Sequence, residues 1–84
     1  MHQYCFTFRS VTAAQQGMGV LLRYGIRCEL TRTPKSLSSY GCGYALWISL
    51  ADGLKAAGKL RQYGILPVKM IRLYPNGTTE EATL

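Results

Sequence analysis

Shifting the chain by 39 positions against itself lays Phe8 on Trp47, Ser10 on Ser49, Gly19 on Gly58 and Leu21 on Leu60, and places Tyr24-Gly25-Ile26 on Tyr63-Gly64-Ile65. Two similar units therefore follow one another. With 84 residues in all, neither unit can bury a core of its own, so both must contribute to a single one. That requirement restricts the chain to folds assembled from two like halves.

Each half reads as strand, helix, strand. In Gln3 to Phe8, the aromatic residues Tyr4, Phe6 and Phe8 alternate with Gln3, Cys5 and Thr7, the period of a half-buried strand. Ser10 offers an N-cap, and Val11, Ala14, Met18, Leu21 and Leu22 recur at helical spacing until Gly25 stops the helix. Ile26, Cys28 and Leu30 alternate with Arg27, Glu29 and Thr31 in a second strand. In the second half, Tyr44 to Leu50 reads as a strand and Leu50, Leu54, Ala57 and Leu60 mark a helix face ended by Gly64. Pro67 to Tyr74 is the last strand, with proline at its start, where a missing N–H is tolerated.

The order βαββαβ predicts an α+β, ferredoxin-like fold: a four-stranded antiparallel sheet with two helices on one face, strand order 4-1-3-2. Residues 1–75 form the single domain in this reading. Pro75-Asn76-Gly77 signals a turn, and 76–84 reads as a frayed polar tail carrying Glu80 and Glu81.

Within this frame one cysteine stands apart. Cys42 lies between Gly41 and Gly43, just ahead of the apolar run of the third strand. Glycine gives it no shielding side chains and permits the positive φ angles that push a loop tip outward. The predicted topology brings the end of strand one, Phe8-Arg9-Ser10, and the N-terminus of the first helix to the same edge. Arg9, Arg32 and Lys35 there would favour a thiolate. Ser36, Ser38 and Ser39 read as loop polarity whose hydroxyls could support an anion or a persulfide. Cys5 and Cys28 fall in regular strand alternation and read as packing residues.

Composition narrows the chemistry. Ten Lys and Arg against four acids favour an anionic partner. His2 is the only histidine, and the cysteines show neither CxxC nor metal spacing, so a Cys-His hydrolase or a metal centre is not indicated and no cofactor is expected. Asp52, near the start of the second helix, reads as a helix-end residue rather than a general base. Lys55, Lys59 and Arg61 read as a solvated face. The sequence patterns of the RNA-recognition motif are absent, which argues against nucleic acid. No apolar run reaches membrane-spanning length, MHQYCFTFRS lacks the apolar core of a signal peptide, and three unpaired thiols point to a reducing cytoplasm.

The stretch FTFRSVTAAQQGMGVLLRYGI, followed by TPKSLSSYGCGYALWIS and the closing helix and strand, resembles the small bacterial selenium/sulfur (Se/S) carrier protein-like family over residues 4–74. The resemblance rests on Phe8, Ser10, Thr12 and Ala13, on Gly25-Ile26, on Pro34-Lys35-Ser36-Leu37-Ser38 and on Cys42-Gly43-Tyr44-Ala45-Leu46. Lys35 stands where many members carry arginine, which weakens bidentate anion binding.

The resemblance implies a carrier more than an enzyme. Cys42 would take sulfur or selenium from a cysteine desulfurase or selenocysteine-lyase type donor and pass it to an acceptor enzyme. A rival from another class is a small-molecule-binding or regulatory module without a covalent step, for which a homodimer would suit. A third is redox sensing at Cys42. Cys42→Ser separates the first two.

Overall fold

A computed structural model of the chain describes residues 3–33 and 43–82. Seven elements follow in order: β1 (Gln3–Phe8), α1 (Val11–Arg23), β2 (Cys28–Arg32), β3 (Tyr44–Ser49), α2 (Leu50–Gln62), β4 (Lys69–Leu73) and β5 (Thr79–Ala82). All strand pairs are antiparallel, and the sheet order is β2-β3-β1-β4-β5. The first and third strands are central neighbours, as the sequence predicts.

The sheet has five strands rather than four. Thr79–Ala82, read from sequence within a frayed tail, pairs with β4 from Met70↔Ala82 to Leu73↔Thr79. The Pro75-Asn76-Gly77 turn returns the chain: Tyr74 N–H donates to the Thr78 carbonyl at 3.0 Å, Asn76 Oδ1 accepts from the Thr78 N–H at 3.0 Å, and Gly77 takes φ 88°. The glutamates of the supposed tail are thereby carried back to the sheet. Glu81 meets Lys69 at 2.8 Å and Glu80 meets Arg72 at 3.6 Å.

The repeat is visible in the helices, although Ser10 Oγ accepts a capping N–H and Ser49 Oγ does not. Each has 13 residues, at the same offset of 39. Ser10 and Ser49 are the N-caps, and Tyr24 and Tyr63 the C-caps. Gly25 and Gly64 adopt φ 75° and 72°, which L side chains rarely take. Ile26 and Ile65 N–H groups donate to Leu21 and Leu60 carbonyls, both at 2.9 Å. The two C-cap tyrosines touch, hydroxyl to hydroxyl at 2.6 Å, and join the halves.

The strands follow a different offset. Phe8 packs into the core on the helical side, whereas Trp47, its partner in the repeat, is packed with Cys5, Ala45 and Ile71. Arg9 separates β1 from its cap Ser10, whereas β3 ends at Ser49, itself the cap. One residue fewer moves the strand equivalence to Phe8 with Ile48, and an odd shift reverses the face on which a strand residue points.

Both helices contribute to one core cluster with the same sheet face. Tyr4, Phe6, Phe8, Leu46, Ile48 and Met70 from the strands meet Ala14, Val20 and Leu21 of α1 and Ala56 and Leu60 of α2. The helix faces differ from the sequence reading. Leu22 is 54% exposed and Leu54 70% exposed, while Gly17 and Gly53 are buried. The reason is close approach: a Cβ on Gly53 would overlap the Tyr4 ring, so α2 lies near the sheet through small residues and its leucine at 54 is turned out. On the opposite face a smaller cluster of Cys5, Ala45 and Ile71 is sealed with Trp47 and Leu73. Among the described residues no helix is long and apolar enough to cross a membrane.

Candidate functional site

The edge of interest is where β1 ends and β3 begins. Phe8 pairs with Tyr44, and Arg32 at the end of β2 pairs with Tyr44 from the other side. The Arg32 guanidinium lies 5.7 Å from the Tyr44 ring centroid, within cation–π range. Thr33 N–H donates to the Gly43 carbonyl at 3.0 Å. One residue beyond the last β2-β3 pair, this bond draws together the two ends of segment 34–42.

Gly43 is exposed, and a Cβ built on it meets nothing within 4 Å.

Arg9 and Ser10 are both exposed at this edge. Ser10 has extended backbone angles, φ −130° and ψ 154°, and its Oγ accepts the Ala13 N–H at 3.1 Å. An acceptor position is thus used in capping α1, and the hydroxyl proton is what it retains for an anion. Lys69, opposite Thr7 on β4, belongs to the same edge and pairs with Glu81. Cys42, Gly41, Pro34, Lys35, Ser36, Ser38 and Ser39 lie outside the described residues.

Thr33 is a residue that sequence reasoning passed over. Its Oγ1 is buried and has no hydrogen-bond partner among the described residues. A buried hydroxyl without a partner is costly, so one at the base of segment 34–42 is a donor held ready. The available signal was its position, directly before Pro34 and opposite Gly43.

The other two cysteines behave as packing residues. Cys5 is fully buried. Cys28 is half-buried, packs against the main core beside Leu30, and burial pushes its thiol above the usual value. Neither has the electropositive, exposed setting of a reactive thiol. Asp52 sits in the first turn of α2 and accepts from Ser49 Oγ at 3.2 Å, in keeping with a helix-end role. Of the basic residues read as a solvated face, Lys59 departs: its ammonium lies 4.2 Å from the centroid of the Tyr24 ring.

No curated protein and no solved structure matches the chain. A family model described as "Putative Se/S carrier protein-like" matches residues 3–72, a span that runs from β1 into β4 and takes in both helices and the Cys42 segment, and the chain belongs to that family.

Proposed function

We propose that the protein is a sulfur or selenium carrier that holds a persulfide or perselenide on Cys42. The family match carries this reading, since it covers the Cys42 segment together with the fold around it. Openness at Gly43, the exposed Arg9 and Arg32 and the buried Thr33 hydroxyl support it. The order β2-β3-β1-β4 supports a ferredoxin-like frame, extended by β5.

In the transfer step the Cys42 thiolate attacks the terminal sulfur of the donor's persulfide. A new S–S bond forms, the donor's own S–S bond breaks, and the electron pair leaves with the donor thiolate, so no outside oxidant is needed. The acceptor repeats the displacement on Cys42. Cationic groups at this edge lower the free energy of the anionic sulfur, and Lys35 and the serines 36, 38 and 39 would add to them. A thiol used in this way belongs in a reducing compartment, the cytoplasm.

The test is incubation with a cysteine desulfurase and cysteine, followed by alkylation and peptide mass spectrometry. The expected result is one added sulfur on Cys42, absent from Cys42→Ser and from Cys5 and Cys28. A Cys42 that alkylates readily yet gains no sulfur would overturn the carrier reading and favour a non-covalent module.

A further inference from the structure

β2 is an edge of the sheet, and its register with β3 fixes which of its backbone groups are left over. Thr33 N–H donates to the Gly43 carbonyl in the register that sets Thr31 opposite Ala45 and Glu29 opposite Trp47, so the odd-numbered residues turn their N–H and C=O groups to β3. Those of Cys28, Leu30 and Arg32 point outward, where no strand lies beside them among the described residues. The Arg32 carbonyl accepts the Thr31 hydroxyl at 3.0 Å. Cys28 and Leu30 are left as the template for another strand.

The side chains along this edge are self-complementary. Arg27 and Glu29 are both exposed, and among the described residues neither forms a salt bridge. Glu29 lies opposite Trp47, which packs with Cys5 and Ala45 on the helix-free face, and alternation puts Arg27 on that face too. On the other face α1 packs on β2 and β3, while α2 packs on β3 and β1. From one flank of α1, Arg23 reaches Tyr63 at the end of α2. Met18 and Leu22, about one turn apart, are on the opposite flank, above the β2 edge, and Leu22 is 54% exposed there. The other edge of the sheet is different. β5 has four residues, two of them Glu80 and Glu81, and pairing it with its own copy would set acid against acid.

We propose that β2 pairs antiparallel with β2 of a second copy, about a two-fold axis through Cys28, joining two five-stranded sheets edge to edge. In this register Arg27 of each copy stands opposite Glu29 of the other, so the ion pair forms twice. The two Cys28 residues exchange backbone hydrogen bonds, and Leu30 N–H of each copy donates to the Ile26 carbonyl of the other. Ile26 N–H is engaged by Leu21, and its carbonyl is what it offers. An axis through Glu29 would oppose the two glutamates, and one through Leu30 would make Cys28 N–H compete with the Thr31 hydroxyl for the Arg32 carbonyl. The assignment does not depend on Cys42 being a carrier.

Sedimentation equilibrium of the reduced protein tests this at physiological ionic strength, where charges further apart than about 8 Å are screened. The expected species has twice the 9.3 kDa of the chain. Its Cys28 and Leu30 amides should gain protection from hydrogen exchange as concentration rises, while the Arg32 amide does not. Arg27→Glu and Glu29→Arg should each weaken the dimer about tenfold or more by setting like charges opposite. A one-to-one mixture of the two variants should dimerise again, because each then meets its complement, and that rescue also shows both to be folded. A protein that stays monomeric into the hundreds of micromolar, a dimer indifferent to both reversals, or variants that the mixture does not rescue would overturn the proposal.

Discussion

Gly53 and Gly58 are both glycines within α2, and their settings are opposite. A Cβ at Gly53 would overlap the Tyr4 ring, while one at Gly58 meets nothing within 4 Å. Gly58→Ala should therefore raise stability by about 0.5–1 kcal/mol through the unfolded chain. Gly53→Ala should lower it by about 1–3 kcal/mol, because overpacking outweighs the same backbone gain. Urea midpoints of the two variants check both signs. The tyrosine pair gives a second residue-level test. Tyr63 is lowered from the ordinary 10.0, chiefly by its hydrogen bond with Tyr24, with Arg23 and Lys59 nearby, and Tyr24 is raised, chiefly by the same bond. The pair loses its protons in two steps on either side of the ordinary value. Stability should rise with pH while Tyr63 ionises ahead of the unfolded chain, then fall between the ordinary value and the raised Tyr24 step, where the folded state holds the extra proton. Tyr24→Phe should move the first step upward in a phenolate-absorbance titration. An unchanged first step would mean the hydroxyls do not meet in solution.

Elements whose ends carry their own chemistry were legible in the sequence, and those without it were not. Gly25 and Gly64 end helices of equal length and the Ser10 oxygen caps the first, because a cap oxygen and a left-handed glycine act locally, whereas the Ser49 hydroxyl makes no capping bond and donates to Asp52. The buried face of α2 was misread because leucine spacing was counted, whereas the approach to Tyr4 is set by the absence of a side chain at Gly53. β5 escaped because Thr79, Glu80 and Glu81 are all exposed and show no apolar alternation. Its only signal was the turn before it. Gly77 at φ 88° should consequently matter to that hairpin alone. Gly77→Ala should cost about 1 kcal/mol and speed amide exchange in β4 and β5 while leaving the β1-β3 ladder protected. Equal loss of protection across the sheet would mean that β5 unfolds only with the whole.

Taken whole, the molecule has a formal net charge of +6, and its acids are not spread over its surface. Two lie on β5 against Lys69 and Arg72, and the other two, Glu29 on β2 and Asp52 in the first turn of α2, lie toward the Ser49 end of β3. The Gly43 edge carries Arg9 and Arg32, and Glu81, the acid held at that edge, is paired with Lys69. Sulfur transfer from a desulfurase should slow several-fold as salt rises from low to physiological ionic strength, through loss of steering. A rate that ignores salt would place docking on apolar contact instead. The proposed cysteine site rests on the consecutive residues Gly41, Cys42 and Gly43, which the sequence alone displays.

The hydrogen bond between Thr33 and Gly43 has a mechanical meaning for the proposed carrier. Cys42 follows Gly43 backwards along the chain by one peptide unit, about 3.8 Å between Cα atoms, so its leash is a single residue long. Carriers with long mobile arms can visit distant active sites while their bodies stay parked. In the proposed carrier, a sulfur one residue from this pinned strand end would require the whole 9.3 kDa body to move with its cargo, leaving one partner before meeting the next.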